Sequence, residues 1–214
     1  MMLDSINHHF QAHEQAYYSR FFNEQRGLHM IKVLPGGVYV SGQEELICTG
    51  LGSCVSACIW DPVKRVGGMN HFLLPFHNHF EEKHWHADEL LSGASRYGSY
   101  AMEMLLNQLL SLGARRERLR MKLFGGAQMM GFHSMIGEKN VEFVLHYAEQ
   151  EGLEVVAYDL GGLEPRKIMF DPLTGKAWLK RIPFAEINHL RREEERYAHT
   201  LEKQTDKGLE VELF

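Results

Sequence analysis

The chain has 214 residues, of which 44% are hydrophobic and 24% are charged, and its formal net charge is −5 at pH 7. These proportions are typical of a globular protein and exclude a disordered or fibrous chain. The excess of acidic residues leaves no basic patch for a phosphate backbone, so we expect no nucleic acid partner. Because the sequence has neither an apolar run of about 18 residues nor a signal-peptide pattern at its start, we expect a cytoplasmic protein without membrane insertion.

Changes in composition divide the chain into three predicted segments. Residues 1–29 carry aromatic side chains at spacings near three and four, which predicts an N-terminal helical extension that ends near Gly27. Residues 30–186 are predicted to form the main domain. Residues 187–214 are a charged C-terminal tail, which we interpret as a solvated helix because residues 191–196 are all Arg or Glu.

Within the main domain, the residue pattern predicts a mostly β first half followed by alternating strands and helices. Turn residues separate short predicted strands at residues 30–34, 38–41 and 46–49 from a strand pair that reverses near Asp61-Pro62. Farther along, helices are predicted at residues 88–112 and 136–150, and strands at residues 119–124 and 154–159. This order predicts an α/β fold, a layered α/β sandwich in which the helices pack on the sheet.

Three cysteines, Cys48, Cys54 and Cys58, lie within eleven residues. An odd number at this spacing does not resemble a disulfide framework, so we expect reduced thiols. Zinc is a weak interpretation of the cluster, since Cys54 and Cys58 on one strand would lie roughly 13 Å apart at about 3.3 Å per residue. A second metal candidate is the stretch 77–89, which contains two His-x-His pairs followed by Asp88 and Glu89. The alternative for that stretch is a polar loop.

The strand pair around Asp61-Pro62 brings one of these thiols toward a histidine. Asp and Pro are favoured at the first two positions of a type I turn, and a turn centred between Pro62 and Val63 places Cys54 opposite His71. Their Cβ atoms would then lie about 4.5 to 5.5 Å apart on one face. A three-residue loop would send the two side chains to opposite faces, unless a glycine bulge in the second strand restored the register.

A thiol and an imidazole at this distance can act as a nucleophile and its base. The glycines before Cys54 leave room for a substrate carbonyl, and the main-chain N–H groups of such a turn can bind an oxyanion. The same spacing also fits two core residues of an apolar hairpin. Position alone therefore leaves both interpretations open.

Longer sequence blocks around this pair resemble the chemoreceptor glutamine deamidase family, CheD. The resemblance is carried by LGSCV at residues 51–55 and by GGMNHFLLP at residues 67–75. It continues in order through ASRYGSYAME, KLFGGA, IGEKN and DLGG, at residues 94–103, 122–127, 136–140 and 159–162. It covers roughly residues 30 to 180.

The resemblance implies a cysteine-dependent protein-glutamine deamidase, an amidohydrolase that converts specific glutamines of methyl-accepting chemotaxis receptors to glutamates with release of ammonia. It extends to hydrolysis of glutamyl methyl esters. By the motif match Cys54 is the catalytic nucleophile and His71 is the base, and Thr49 is the hydroxyl available to orient the histidine. Ser53 and Asn70 flank the pair and are predicted to bind substrate through hydrogen bonds.

The competing hypothesis is a non-catalytic chemotaxis binding protein that uses the same surface to hold receptors or a CheC-type phosphatase, which is one partner in the family. The deamidase chemistry needs no cofactor and no metal, so we expect neither.

Overall fold

The computed structural model describes residues 17–74, 93–128, 134–183 and 187–206, which form ten strands and three α-helices. The strands are β1 (Tyr18–Asn23), β2 (Leu28–Val33), β3 (Val38–Ser41), β4 (Glu45–Leu51), β5 (Val55–Asp61), β6 (Val66–Asn70), β7 (Arg120–Gly125), β8 (Glu154–Leu160), β9 (Arg166–Phe170) and β10 (Ala177–Arg181). The helices are α1 (Gly93–Ser111), α2 (Ser134–Gln150) and α3 (Asn188–Asp206). None of these three helices is both long enough and apolar enough to cross a membrane.

The strands form two five-stranded sheets. Sheet A has the order β1-β2-β4-β9-β10, and sheet B has the order β3-β6-β5-β7-β8. In sheet A, β2 and β4 are parallel, and in sheet B, β7 and β8 are parallel. The other named pairs are antiparallel.

Side-chain alternation along the central strand β5 separates two cores. Cys58 faces sheet A and belongs to a buried cluster that includes Phe170 of β9. Ala57 faces the other way and belongs to a cluster with Leu105 of α1 and Val144 of α2. Because successive residues of a strand point to opposite faces, β5 is buried on both sides. The layers are therefore sheet A, sheet B and then the two helices, which confirms the predicted α/β sandwich.

The prediction of an N-terminal helix is wrong over its described part. Residues 18–23 form β1, which pairs antiparallel with β2 at the edge of sheet A. The aromatic residues that suggested an amphipathic helix lie on an edge strand instead, where Phe21 and Phe22 are exposed. Residues 1–16 lie outside the described part of the chain, and the division into three segments stays a prediction.

Asp61 secures the β5–β6 turn from a buried position. Its carboxylate accepts hydrogen bonds of 2.9 Å from the N–H groups of Val63 and Lys64, and one of 3.0 Å from Arg115 N–H. Arg118 adds an ion pair at 2.7 Å. Burial would raise the pKa of Asp61, but the hydrogen bonds from Arg118 and from the backbone outweigh it and lower that pKa below its usual range.

We expect Asp61→Asn to lower the free energy of unfolding at pH 7 by about 2 to 3 kcal/mol, because it breaks charge-assisted hydrogen bonds in a buried site. Urea unfolding measures the change. A carboxyl with a depressed folded-state pKa stabilises at neutral pH and loses that contribution as the pH falls below about 4, so the two proteins should converge in acid. Glu117→Gln, an exposed change in the same region, is the control and should match the wild type. Equal stability of Asp61→Asn and wild type at pH 7 would contradict this role.

Candidate active site

Cys54 lies where the chain passes from sheet A to sheet B. Residues 52–54 form the connection between the end of β4 and the start of β5. Asn140 of α2 holds this connection, since its side chain donates a 2.8 Å hydrogen bond to the Ser53 carbonyl and accepts one of 2.9 Å from Leu74 N–H. Because both ends of this buried amide are satisfied, the turn is fixed against α2.

The observed register of β5 against β6 is shifted by two residues from the register that the predicted turn gives. The pairing of β5 with β6 continues to a bridge between Val55 and Phe72, so Cys54 does not lie directly opposite His71. The predicted register is wrong because the loop contains four residues, the last of which, Arg65, adopts a left-handed φ of 59°. A shift of two residues preserves the alternation. Both side chains therefore lie on the same face, as diagonal neighbours.

Thr49 determines which nitrogen of His71 carries the proton. Its hydroxyl donates a 2.8 Å hydrogen bond to the Val33 carbonyl and lies 2.8 Å from His71 Nδ1. A hydroxyl has a single hydrogen, so the threonine oxygen must accept from Nδ1–H. Nε2 is then the unprotonated nitrogen of the neutral ring, and it has no hydrogen-bond partner among the described residues. The base nitrogen is left available.

The turn before the thiol binds a carboxylate from the C-terminal helix. Glu194 of α3 accepts hydrogen bonds from the N–H groups of Gly52 at 2.7 Å, Ser53 at 3.0 Å and Cys54 at 3.3 Å. The Ser53 hydroxyl adds a fourth at 2.8 Å. Three consecutive N–H groups that converge on one anion form a nest, and this is the geometry that an oxyanion hole needs.

The thiol, the imidazole and this carboxylate form one buried group. The Cys54 sulfur, a ring nitrogen of His71 and a carboxylate oxygen of Glu194 all lie within 4.8 Å of one another. Zinc takes these three donor types. Both oxygens of Glu194 already accept hydrogen bonds from the nest, however, so the arrangement suits an anion rather than a cation. The metal candidate at residues 77–89 lies outside the described residues.

The electrostatics of this group keep the pair uncharged. Burial raises the pKa of the Cys54 thiol, and the neighbouring carboxylate of Glu194 raises it further. Burial lowers the pKa of His71 to about 3, although the nearby Val33 carbonyl opposes the shift. At neutral pH the structure therefore holds a neutral thiol beside a neutral imidazole, with Glu194 supplying the negative charge.

The structure brings together four of the five residues singled out in the sequence. Thr49, Cys54 and His71 form a connected cluster, and Ser53 contributes both its N–H and its hydroxyl to the nest. The side chain of Asn70 points away from this cluster, toward α1. Its side chain accepts a 2.8 Å hydrogen bond from Ala57 N–H and donates to the Ala101 carbonyl and to Met102 Sδ, so it ties β6 to β5 and α1. These contacts give Asn70 a structural role, and the proposed active site does not include it.

Sequence reasoning missed Glu194 and Asn140. Glu194 belongs to the charged run 191–196, which we interpreted as a solvated face. The signal that could have found it is the spacing of Leu190, Tyr197 and Leu201 around it, which places all four on one face of a helix. Asn140 belongs to one of the blocks of family resemblance, but nothing in the sequence relates it to the turn at Cys54.

Comparison with known proteins gives a consistent family. A family model described as CheD chemotactic sensory transduction matches residues 78–181. A protein of Vibrio vulnificus (strain YJ016) named probable chemoreceptor glutamine deamidase CheD is 98% identical over 214 residues, all of both chains. Proteins of the same name from Vibrio cholerae serotype O1 (strain M66-2) and Hahella chejuensis (strain KCTC 2396) are 58% and 42% identical. Those alignments cover 95% and 92% of this chain, and 87% and 90% of the relatives.

We expect Thr49→Val to release the His71 ring, because the change removes the acceptor for Nδ1–H and the donor for the Val33 carbonyl. Two buried polar groups without partners should lower the free energy of unfolding by about 1 to 3 kcal/mol. ¹⁵N NMR of His71 should change from the single Nδ1–H tautomer to a mixture. Thr49→Ser keeps the hydroxyl and is the control, in which the wild-type tautomer should persist. A valine variant with an unchanged tautomer and unchanged stability would contradict the interaction.

Proposed function

Because the chain belongs to the CheD family of chemoreceptor glutamine deamidases, we propose that it hydrolyses glutamine side chains of methyl-accepting chemotaxis receptors with Cys54 as the nucleophile. The observation that carries this proposal is the meeting of three parts at one point. They are the thiol of Cys54, the oriented imidazole of His71 and the nest of N–H groups at residues 52–54. Each part corresponds to one need of acyl transfer: a nucleophile, a base and an oxyanion site.

In the first half of the proposed reaction, Nε2 of His71 takes the thiol proton while the Cys54 sulfur attacks the amide carbon of the substrate glutamine. A carbon–sulfur bond forms, and the carbonyl electron pair moves to oxygen, where the N–H groups of the nest stabilise the negative charge. When the oxyanion collapses, the carbon–nitrogen bond breaks. The imidazolium gives its proton to the departing nitrogen, so ammonia leaves and a thioester remains.

In the second half, a water molecule attacks the thioester carbonyl and gives a proton to His71. The same N–H groups stabilise the second oxyanion, and its collapse breaks the carbon–sulfur bond. The sulfur recovers a proton from the imidazolium, which restores the starting pair. The net change is one amide and one water converted to one carboxylic acid and one ammonia, and the acid ionises to the glutamate carboxylate.

Thr49 and Ser53 support this chemistry in different ways. Thr49 is a positioning residue, since it acts through the Nδ1–H of His71 and keeps Nε2 unprotonated. Ser53 contributes a backbone N–H and a hydroxyl at the place where the acyl oxygen and its neighbour would lie. The hydroxyl can donate or accept, so it suits either the amide nitrogen of glutamine or the second oxygen of glutamate.

The same site is compatible with glutamyl methyl ester hydrolysis, which we include in the proposal. The nest recognises the acyl oxygen, and methanol would replace ammonia as the leaving group in an otherwise identical sequence of bond changes. We retain a CheC-type phosphatase as a proposed partner, and the cytoplasmic part of the receptor as the proposed place of action, from the family resemblance.

We expect Cys54→Ala to abolish receptor deamidation, because no other group can form the thioester. Loss of a nucleophile of this kind costs up to about 10⁶ in rate. Mass spectrometry of receptor peptides measures the reaction as a gain of about 1 Da for each amide converted to an acid. Cys48→Ala, on β4 and only partly buried, is the matched control and should retain the wild-type rate.

Two outcomes would contradict the assignment. Deamidation by Cys54→Ala at the wild-type rate would exclude Cys54 as the nucleophile. Receptor binding by the wild-type chain without any deamidation or ester hydrolysis would favour the competing hypothesis, a binding protein that uses the same surface.

A further inference from the structure

The nucleophile of this site is buried, and the protein's own C-terminal helix packs beside it. Cys54 is 0% exposed and His71 is 2% exposed. A glutamine side chain that belongs to another protein cannot reach the sulfur through this covering. The carboxylate of Glu194 already occupies the nest where the acyl group of a substrate would bind. The occupant must leave before any substrate can enter.

One face of α3 fits the body of the protein closely. Leu190, Glu194, Tyr197 and Leu201 lie at helical spacing on that face, and Leu190, Glu194 and Leu201 are buried. Two glycines allow the approach. A Cβ atom at Gly50 would lie 3.0 Å from Leu190 Cδ1, and one at Gly36 would lie 2.6 Å from the Tyr197 hydroxyl oxygen. The absence of side chains at Gly36 and Gly50 therefore makes room for α3 at these two points.

Contacts on both flanks hold the helix in register. Lys32 Nζ on β2 lies 2.8 Å from a carboxylate oxygen of Glu193. On the other side the hydroxyl of Tyr197 hydrogen-bonds the hydroxyl of Tyr97 on α1. These contacts place Glu194, and neither of its neighbours in the sequence, over the nest.

A helix that only completed the core would not place a carboxylate at this position. Glu194 is 4% exposed, and none of the ion pairs between described residues involves it. Burial of a carboxylate is costly unless hydrogen bonds compensate for it. The flanking positions of the same face are Leu190 and Tyr197, so an apolar residue would suit a packing role. The compensation at position 194 comes from the turn that we assign to catalysis.

The chemical identity of the occupant is informative. A glutamate side chain is the product of glutamine deamidation, and here it is presented from a helix. We propose that α3 is a built-in product analogue that occupies the substrate groove of the same chain and keeps the enzyme closed until a substrate helix takes its place. This inference rests on the proposed function for the identity of the reaction. The covering of Cys54 by α3 can be tested without it.

The arrangement also specifies what the substrate segment should look like. Leu190 and Tyr197 lie four residues before and three residues after Glu194 on the docked face. A competing segment should therefore be a helix with its target glutamine between apolar residues at positions −4 and +3, and a further apolar residue at +7, as Leu201 is here. Because α3 is tethered, it competes at a high effective concentration, and a substrate must bind well to displace it.

The first experiment measures access to Cys54 in the full-length protein. Iodoacetamide alkylation of the Cys54 peptide is followed by mass spectrometry in the wild type, in Glu194→Ala and in the control Glu195→Ala, whose side chain is solvated. We expect alkylation about tenfold faster or more in Glu194→Ala only, since that change removes the charge-assisted hydrogen bonds that hold α3 on the nest. The pH midpoint of alkylation should also fall in Glu194→Ala, because a negative charge beside the thiol is lost.

A second variant covers the case in which apolar contacts alone keep α3 bound. Leu190→Ala combined with Glu194→Ala weakens both kinds of contact, and circular dichroism establishes that the chain remains folded. Alkylation of the folded double variant at the wild-type rate would overturn the inference.

The third measurement uses the enzyme on itself. In Glu194→Gln the docked helix presents the substrate group, so we expect the introduced amide to be hydrolysed back to the original glutamate. This conversion is a gain of about 1 Da in the α3 peptide, and it should be absent when Cys54→Ala is added. With receptor as substrate, Glu194→Ala should be faster than wild type.

The outcomes separate the inference from the proposed function. If receptor is deamidated through Cys54 while the Glu194→Gln variant keeps its amide and the thiol of the folded double variant alkylates at the wild-type rate, the product-analogue inference is overturned and the proposed function stands. If no variant deamidates receptor or the amide introduced at position 194, the proposed function fails, while alkylation still shows whether α3 covers the thiol.

Discussion

Three backbone N–H groups that point at one place are the constraint on which this site depends. The peptide planes of the turn are fixed because its carbonyl groups are held on the other side, and the carbonyls of residues 52 and 53 share their planes with the N–H groups of residues 53 and 54. The Gly52 carbonyl accepts from Ala127 N–H at 2.8 Å, the Cys54 carbonyl accepts from Gly126 N–H at 2.8 Å, and the Ser53 carbonyl accepts from the side chain of α2 described above. With its carbonyls tied to the end of β7 and to α2, the turn can offer its N–H groups only toward the space beside the thiol. The crossover between two sheets thus creates both the nucleophile's position and the anion site beside it.

This arrangement couples the charge of the bound group to the state of the nucleophile. An anion in the nest opposes ionisation of the neighbouring thiol, so the form of the site that holds a carboxylate has an inactive nucleophile. A neutral amide in the same place would not oppose it. Thr49 adds an orientation that does not depend on the occupant, because its hydrogen bonds join β4, β2 and the residue after β6. His71 therefore keeps the same orientation whichever group occupies the nest, whereas ionisation of the Cys54 thiol depends on the occupant.

Much of the fold and the central pair of this site could be predicted from the sequence. The strands near β2, β3, β4, β7 and β8 follow from short apolar runs between turn residues, and the bodies of α1 and α2 follow from helical periodicity. The register at His71 failed because Asp61 caps a four-residue loop, which periodicity does not reveal. Because the error is two residues, Cys54 and His71 still lie on one face. β1 failed because exposed aromatics on an edge strand mimic a helical pattern. Glu194 could not be found in this way, since its role depends on a contact across 140 residues of sequence.

The nest explains why a glutamate is a stronger occupant of this groove than the glutamine on which the enzyme is proposed to act. Both oxygens of a carboxylate can accept from the four donors at residues 52–54, whereas the amide nitrogen of a glutamine would meet the Ser53 N–H with hydrogens of its own. Donors that favour the product also favour the negatively charged oxygen of the tetrahedral intermediate, so a site that stabilises this intermediate necessarily retains carboxylates. Release of the carboxylate product from such a site is therefore slow. A tethered glutamate turns that tendency into a closed resting form without any additional binding site, because the groups that would accelerate the reaction are the same groups that hold α3 in place.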